Sequence, residues 1–198
     1  DMKKKILIPT DGGILGDYAC SVAKRLNEKI DLEVIYLNVI HAPSGVVMNH
    51  EGEFIDDREF DYTHIYKQQE QQKLALTKWA RQKKIHGEVH VIIGDVNRAI
   101  TSFAKKMQVD LIIMGTHGIF NLKDSFIGSH TEYITIHSEI PVISLKCDRS
   151  EMLLDQIVVV SDIEQREKHN LKRVKTIAEA FSSTLVSLKI VKGLPKTI

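Results

Sequence analysis

Short apolar runs alternate along this chain with stretches in which apolar residues recur every three or four positions. Residues 5–8, 32–40, 88–93, 110–114 and 141–146 are such runs, and they predict five strands. Residues 17–29 place Ala19, Val22, Ala23 and Leu26 at helical spacing. Residues 66–85 predict a long polar helix with Leu74, Leu76 and Trp79 on or near its buried side. Residues 97–107 and 129–138 predict two more helices. Strands that alternate with helices form parallel βαβ units with right-handed crossovers. The expected fold is α/β, a doubly wound open parallel five-stranded sheet. Ligands of such sheets bind beyond the carboxyl ends of the strands, where strand order reverses.

Two stretches break the pattern. Residues 41–65 hold Pro43, Gly45, Gly52 and the acidic run 51–57 without periodicity. They predict an exposed, mobile loop, either a plain solvated excursion or a lid over a site. After residue 150 the chain begins again. Residues 157–162 repeat the order of residues 6–11 at an offset that also carries Leu37 onto Leu188 and Val39 onto Ile190. Residues 165–181 predict a helix between those strands, with Leu171, Val174, Ile177, Ala178 and Phe181 apolar. The expected organisation is a full domain over 1–147 and an incomplete second repeat, a partial βαβ unit, over 152–198. A lone βαβ unit buries too little on its own, so it is either shortened or docked elsewhere.

Composition narrows the function classes. Among 198 residues, 27 basic and 26 acidic side chains nearly cancel, which argues against a general nucleic-acid footprint. No apolar run reaches the roughly 18 residues that a membrane span needs. The apolar stretch after Lys3–Lys5 stops at Pro9, too short for a secretory leader. Cys20 and Cys147 are too few for a disulfide framework, so a cytoplasmic setting is the expectation, with Cys20 a small core residue.

The chemistry concentrates after the fourth strand. Gly115 and Gly118 stand three apart, and Gly128 and Ser129 follow ten residues beyond Gly118. Glycine lets backbone approach an anion closely. A helix starting at Ser129 would aim its free amides and positive dipole end at the same spot. Asp11 ends the first strand; it reads as a ligand-binding carboxylate or as a turn or capping aspartate. Asp162 holds the same place in the second repeat, with no second glycine-rich loop beside it. The chain lacks Gly-x4-Gly-Lys-Ser/Thr, a Gly-x-Ser-x-Gly elbow and any Cys/His cluster at metal-site spacing. No residue stands out as a general base, so no catalytic and no metal residues are assigned.

These residues resemble the universal stress protein family, whose ATP-binding members carry Gly-x2-Gly-x9-Gly-Ser/Thr. Gly115, Gly118, Gly128 and Ser129 fit that spacing, and Ile8-Pro9-Thr10-Asp11 fits the family's opening strand. The resemblance covers residues 3–147 and, again, 152–192. It implies strand order 3-2-1-4-5, dimers and roles in stress adaptation and signalling. It also implies an adenine nucleotide, ATP with or without Mg²⁺. On that likeness Asp11 contacts the nucleoside, with Pro9 and Thr10 bringing backbone to the base. Asn38 and Val39 meet adenine through the main chain at the end of the second strand, beside Met114 of the fourth. Gly115 and Gly118 wrap ribose and α-phosphate, and Gly128, Ser129 and the His130 amide cradle the outer phosphates. His117 stacks on the nucleoside, donates to phosphate or is simply exposed. Lys123 and Asp124 read as solvated loop charges or as partners for phosphate and Mg²⁺ respectively.

The expected function is a regulatory nucleotide-binding module with an unknown protein client, as a homodimer or a tandem pseudo-dimer. The alternatives are a slow ATPase or nucleotidyl-transfer enzyme, and a scaffold for another small anion.

Overall fold

The computed structural model describes residues 3–56, 61–116, 129–149, 151, 154–160 and 168–188. The chain divides into two compact units, Asp1–Ser150 and Glu151–Ile198. In the first, β1 (Lys4–Pro9), β2 (Leu32–His41), β3 (Gly87–Gly94), β4 (Leu111–Gly115) and β5 (Val142–Leu145) form a five-stranded sheet of order β3-β2-β1-β4-β5. Every pairing is parallel. The helices are α1 (Ile14–Asn27), α2 (Thr63–Arg81), α3 (Val96–Lys106) and α4 (Ser129–His137). The expected doubly wound sheet and its strand order are what the structure has.

β1 is the hinge of this order. It lies between β2 and β4, and Ile6, Leu7 and Ile8 are essentially fully buried. A strand covered on both faces must be apolar at successive positions rather than at alternate ones. Leu7, Ile35, Leu37 and Ile112 pack with Ile100, Phe103 and Ala104 of α3 and Ile134 of α4. The opposite face holds Tyr36, whose ring meets Trp79 of α2 edge-on at 5.4 Å. The Tyr36 hydroxyl donates to the Ile85 carbonyl at 2.8 Å. Cys20 of α1 is buried beside it, as expected, and its thiol lies 3.8 Å from that hydroxyl.

Several boundaries and one face differ from expectation. α1 starts at Ile14 rather than near residue 17, because a turn at Gly12 (φ +85°) sends the chain directly into helix. Ile14 and Leu15 are its first apolar positions, and the glycines flanking them, poor helix formers, hid the start. α2 runs from Thr63 to Arg81, not 66 to 85, and the Asp61 carboxylate accepts the Thr63 amide at 2.9 Å. Leu76 is buried, but Leu74 is 73% exposed. Two residues along a helix is about 200° of rotation, so the two leucines cannot share a face.

The stretch expected as an aperiodic loop carries structure of its own. Met48 bridges Phe54 and Glu53 bridges Gly94, both antiparallel. The Gly52 carbonyl, at a residue with φ +79°, accepts the Asp95 amide at 2.8 Å. Phe54 stacks edge-on against Tyr62 at 4.8 Å. This excursion therefore finishes the carboxyl end of β3 beside the start of α3.

In the second unit, β6 (Gln156–Val160) and β7 (Thr184–Leu188) pair in parallel around α5 (Lys168–Phe181). Ile157 pairs Leu185 as Ile6 pairs Val34, so both strands of the pair keep one register at a common shift of 151 residues. Val158, Val160, Leu185 and Leu188 are exposed. Residues 161–167, Asp162 among them, lie outside the described residues.

Candidate functional site

The strands leave β1 toward β2 on one side and toward β4 on the other, and a cavity of about 330 Å³ opens above that divide. Its wall comes from six places. The end of β1 supplies Pro9, Thr10 and Asp11, and the end of β2 supplies Leu37, Asn38 and Val39. β4 and the residue after it supply Met114, Gly115 and Thr116. Val96 and Ile100 come from α3, Ser129, His130 and Thr131 from α4, and Leu15 from α1. The size falls in the range of small-molecule sites, which start at roughly 300 Å³. Leu15, Leu37, Val39, Val96, Ile100 and Met114 make an aliphatic part of the wall beside the polar Thr10, Asp11, Asn38, Ser129 and His130.

At one end Asp11 is exposed, and its Oδ1 accepts the Gly13 amide at 2.8 Å. The carboxylate thus ties down the turn into α1. A carboxylate has about four acceptor sites, so Oδ2 keeps capacity for hydroxyl or amino hydrogens. Thr10 is likewise occupied, its Oγ1 accepting the Gly12 amide at 3.0 Å. Asn38 donates from Nδ2 to the Thr10 carbonyl at 3.0 Å and locks the ends of β1 and β2 together.

Val39 offers main chain. The Thr10 amide donates to the Leu37 carbonyl at 2.8 Å, so Leu37 directs its peptide groups toward β1. Alternate residues of a strand direct theirs to the same side. Val39 therefore turns its amide and carbonyl to the side of β1 beyond Pro9, where β1 has ended. That is a donor and an acceptor side by side at an apolar wall.

The other end is built from helix starts. The first four amides of a helix have no partner within it. α4 begins at Ser129, and α3 begins at Val96 with Asp95 as its cap, accepting the Arg98 amide at 2.9 Å. Both starts border the cavity through Ser129, His130 and Val96. Their dipoles favour negative charge there, whereas Asp11 disfavours it at its own end.

Gly115 has a packing reason to be glycine. A Cβ there would collide with Leu15, meeting its Cα and its carbonyl oxygen at 2.9 Å. The small residue lets the start of α1 close down on the end of β4. Of the residues singled out in the sequence, the structure gathers Pro9, Thr10, Asp11, Asn38, Val39, Met114, Gly115, Ser129 and His130 around one cavity. His117, Gly118, Lys123, Asp124 and Gly128 lie outside the described residues. Leu15, Val96, Ile100, Thr116 and Thr131 were not foreseen. The helical apolar positions among them look like ordinary core residues in sequence. Among the described residues no three His, Cys, Asp or Glu side chains come together as a metal site. No helix among them is long and apolar enough to cross a membrane.

Residues 2–146 match the family model described as the universal stress protein family. The chain belongs to that family. This universal stress protein is 30% identical over 156 residues to universal stress protein MJ0531 of Methanocaldococcus jannaschii, covering 76% of this chain and 86% of the relative. The solved structure of MJ0577 from the same organism superposes with a TM-score of 0.55 at 30% identity, covering 75% of this chain and 99% of that one. A universal stress protein from Archaeoglobus fulgidus shares the fold over more of the molecule. It has a TM-score of 0.68 at 21% identity, over 98% of this chain and 68% of that chain.

Proposed function

We propose that this universal stress protein holds an adenine nucleotide, ATP with or without Mg²⁺, in the cavity between β1 and β4. In this reading it acts as a cytoplasmic regulatory module rather than a catalyst. Adenine lies against the aliphatic wall and pairs with the Val39 amide and carbonyl. Asp11 takes ribose hydroxyls through Oδ2. Ser129 and the α4 amides receive the phosphates, with Gly115, Gly118, Gly128 and His117 forming the loop between. The observation that carries the reading is the lining: one cavity is bordered by a carboxylate, an aliphatic wall, the main chain of Val39 and two helix starts. That set suits a ligand that combines a flat base, a sugar with free hydroxyls and a polyanion. Family membership agrees with it.

Residues 152–198 are read as the opening of a second repeat, making the chain a tandem member. The shared register of β6–β7 and β1–β2 supports this. Nucleotide occupancy would then alter what a client protein or a second copy meets.

The test is direct. Native mass spectrometry of the purified chain, and calorimetric titration of the dialysed chain with ATP and MgCl₂, should show one nucleotide per chain. Ser129→Trp should abolish it. A dialysed chain indifferent to millimolar ATP, with and without Mg²⁺, overturns the reading. Labelled ATP released as product above background would favour a slow hydrolase instead.

A further inference from the structure

A side-chain bridge joins the two helix starts at the phosphate end. His130, in the first turn of α4, places Nδ1 2.8 Å from Oδ1 of Asn97, in the first turn of α3. His130 borders the cavity, and Asn97 is not among the residues that line it. With Oδ1 accepting, Nδ1 carries a proton. Among the described residues, Nε2 makes no hydrogen bond. The ring is thus held through one nitrogen in a residue that lines the cavity.

Resting on the nucleotide reading above, we propose that His130, oriented by Asn97, recognises the outer phosphates and sets the preference for a triphosphate over a monophosphate. The main-chain amides of α4 contribute to any phosphate that reaches them. The imidazole adds a group that responds to how much charge arrives. An anion within reach favours the charged form of the ring. In that form both nitrogens donate, Nδ1 to Asn97 and Nε2 to a phosphate oxygen. Charge-assisted bonds of this kind are about twice as strong as neutral ones. Binding of a triphosphate therefore draws a proton onto Nε2, which a monophosphate too short to reach the ring does not.

The charged groups bordering the pair are Asp95 and Arg98 on α3, Glu132 on α4 and Asp11 across the cavity. Asp95 is committed to the Arg98 amide, and its Oδ1 lies 3.9 Å from Arg98 Nε. Glu132 follows His130 by two positions and points round the helix from it. Neither replaces the anion that a phosphate would bring to Nε2. Asn97 touches no ligand in this scheme and is a positioning residue.

The experiment titrates the full chain with ATP, ADP and AMP near neutral pH, in two buffers of different ionisation enthalpy. For the unaltered chain, the ATP enthalpy should depend on the buffer, reporting proton uptake, and the AMP enthalpy should not. His130→Ala should weaken ATP roughly tenfold and AMP less than twofold. It should also remove the buffer dependence. Asn97→Leu should reproduce most of both effects. His130→Gln, of similar size and unable to take a proton, should lose the uptake even where His130→Ala folds poorly. A purely structural bridge would weaken all three nucleotides alike and leave proton uptake unchanged. Either of those results, with binding intact, overturns this proposal alone. A chain that binds none of the three nucleotides overturns the nucleotide reading and this proposal with it.

Discussion

Asp11 serves the fold and faces the cavity with the same carboxylate. Its bond to the Gly13 amide steadies the entry to α1, and its second oxygen remains for a ligand. The two uses separate by substitution. Asp11→Asn keeps an oxygen for Gly13, so the melting temperature should stay within a degree or two while nucleotide affinity falls. Asp11→Ala should lose affinity and also about 0.5–2 kcal/mol of stability, the usual loss of a capping side chain. Chemical denaturation beside titration checks both. The cysteines separate by burial. Desolvation lifts the Cys20 thiol from 9.0 to about 11 and pushes the Tyr36 hydroxyl up as well. The folded value of the Cys20 thiol exceeds its unfolded one, so its contribution is fully present below about pH 9 and is lost as pH rises toward 11, whereas that of Tyr36 begins to fall only above pH 10.0. Urea midpoints should fall across that window and flatten in Cys20→Ala. A thiol reagent at pH 8 should label the exposed Cys147 quickly and Cys20 only on unfolding. Asp11, Gly115 and Ser129 were legible in sequence because side-chain type carried the signal. Val39 contributes main chain, which any residue possesses, and only the end of β1 at Pro9 gives it a role.

At the scale of elements, existence was readable and edges were not. All five strands and four helices of the first unit stand where the apolar periodicity put them, with ends shifted by a few residues. The shifts fall where glycines flank the first apolar residues, at Gly12–Gly16 around the start of α1, and where a single buried residue, Ile65, stands in the first turn of α2. Leu74 and Leu76 show the consequence. Leu76→Ala should cost about 2–5 kcal/mol, because a buried leucine leaves a cavity. Leu74→Ala should change stability by less than about 0.5 kcal/mol, as surface substitutions do. Equilibrium unfolding of the pair measures the difference. Residues 42–56 carried no periodicity because their order rests on isolated bridges and on Gly52 docking against Asp95. Among the described residues none of that excursion borders the cavity, which favours a plain excursion over a lid.

At the scale of the molecule, the cavity is a product of topology. β1 and β4 are neighbours whose connecting helices leave to opposite faces, and their carboxyl ends part above the sheet. A ligand that binds there touches β1, β2, β4, α3 and α4 together, so its binding energy enters the folding equilibrium of the first unit as a whole. At a free ATP concentration of 100 times Kd, the gain is about 2.7 kcal/mol. For a domain of this size that corresponds to a rise in Tm of roughly 5–10 °C. Scanning calorimetry with and without ATP should show it, and Ser129→Trp should remove it. The second unit repeats the register of the first sheet's opening pair, and the sequence repeat announced that arrangement.

The order of strands and helices, the glycine spacing and the placement of Asp11 were written in one dimension, because periodicity and residue type are properties of neighbours in sequence. Which side chains meet across the cavity was decided only by the fold. His130 and Asn97 are 33 positions apart and carry no mark of each other. They touch because two crossovers on one face of the sheet bring the starts of α3 and α4 to a single point, and proximity of that kind exists only after the chain has folded.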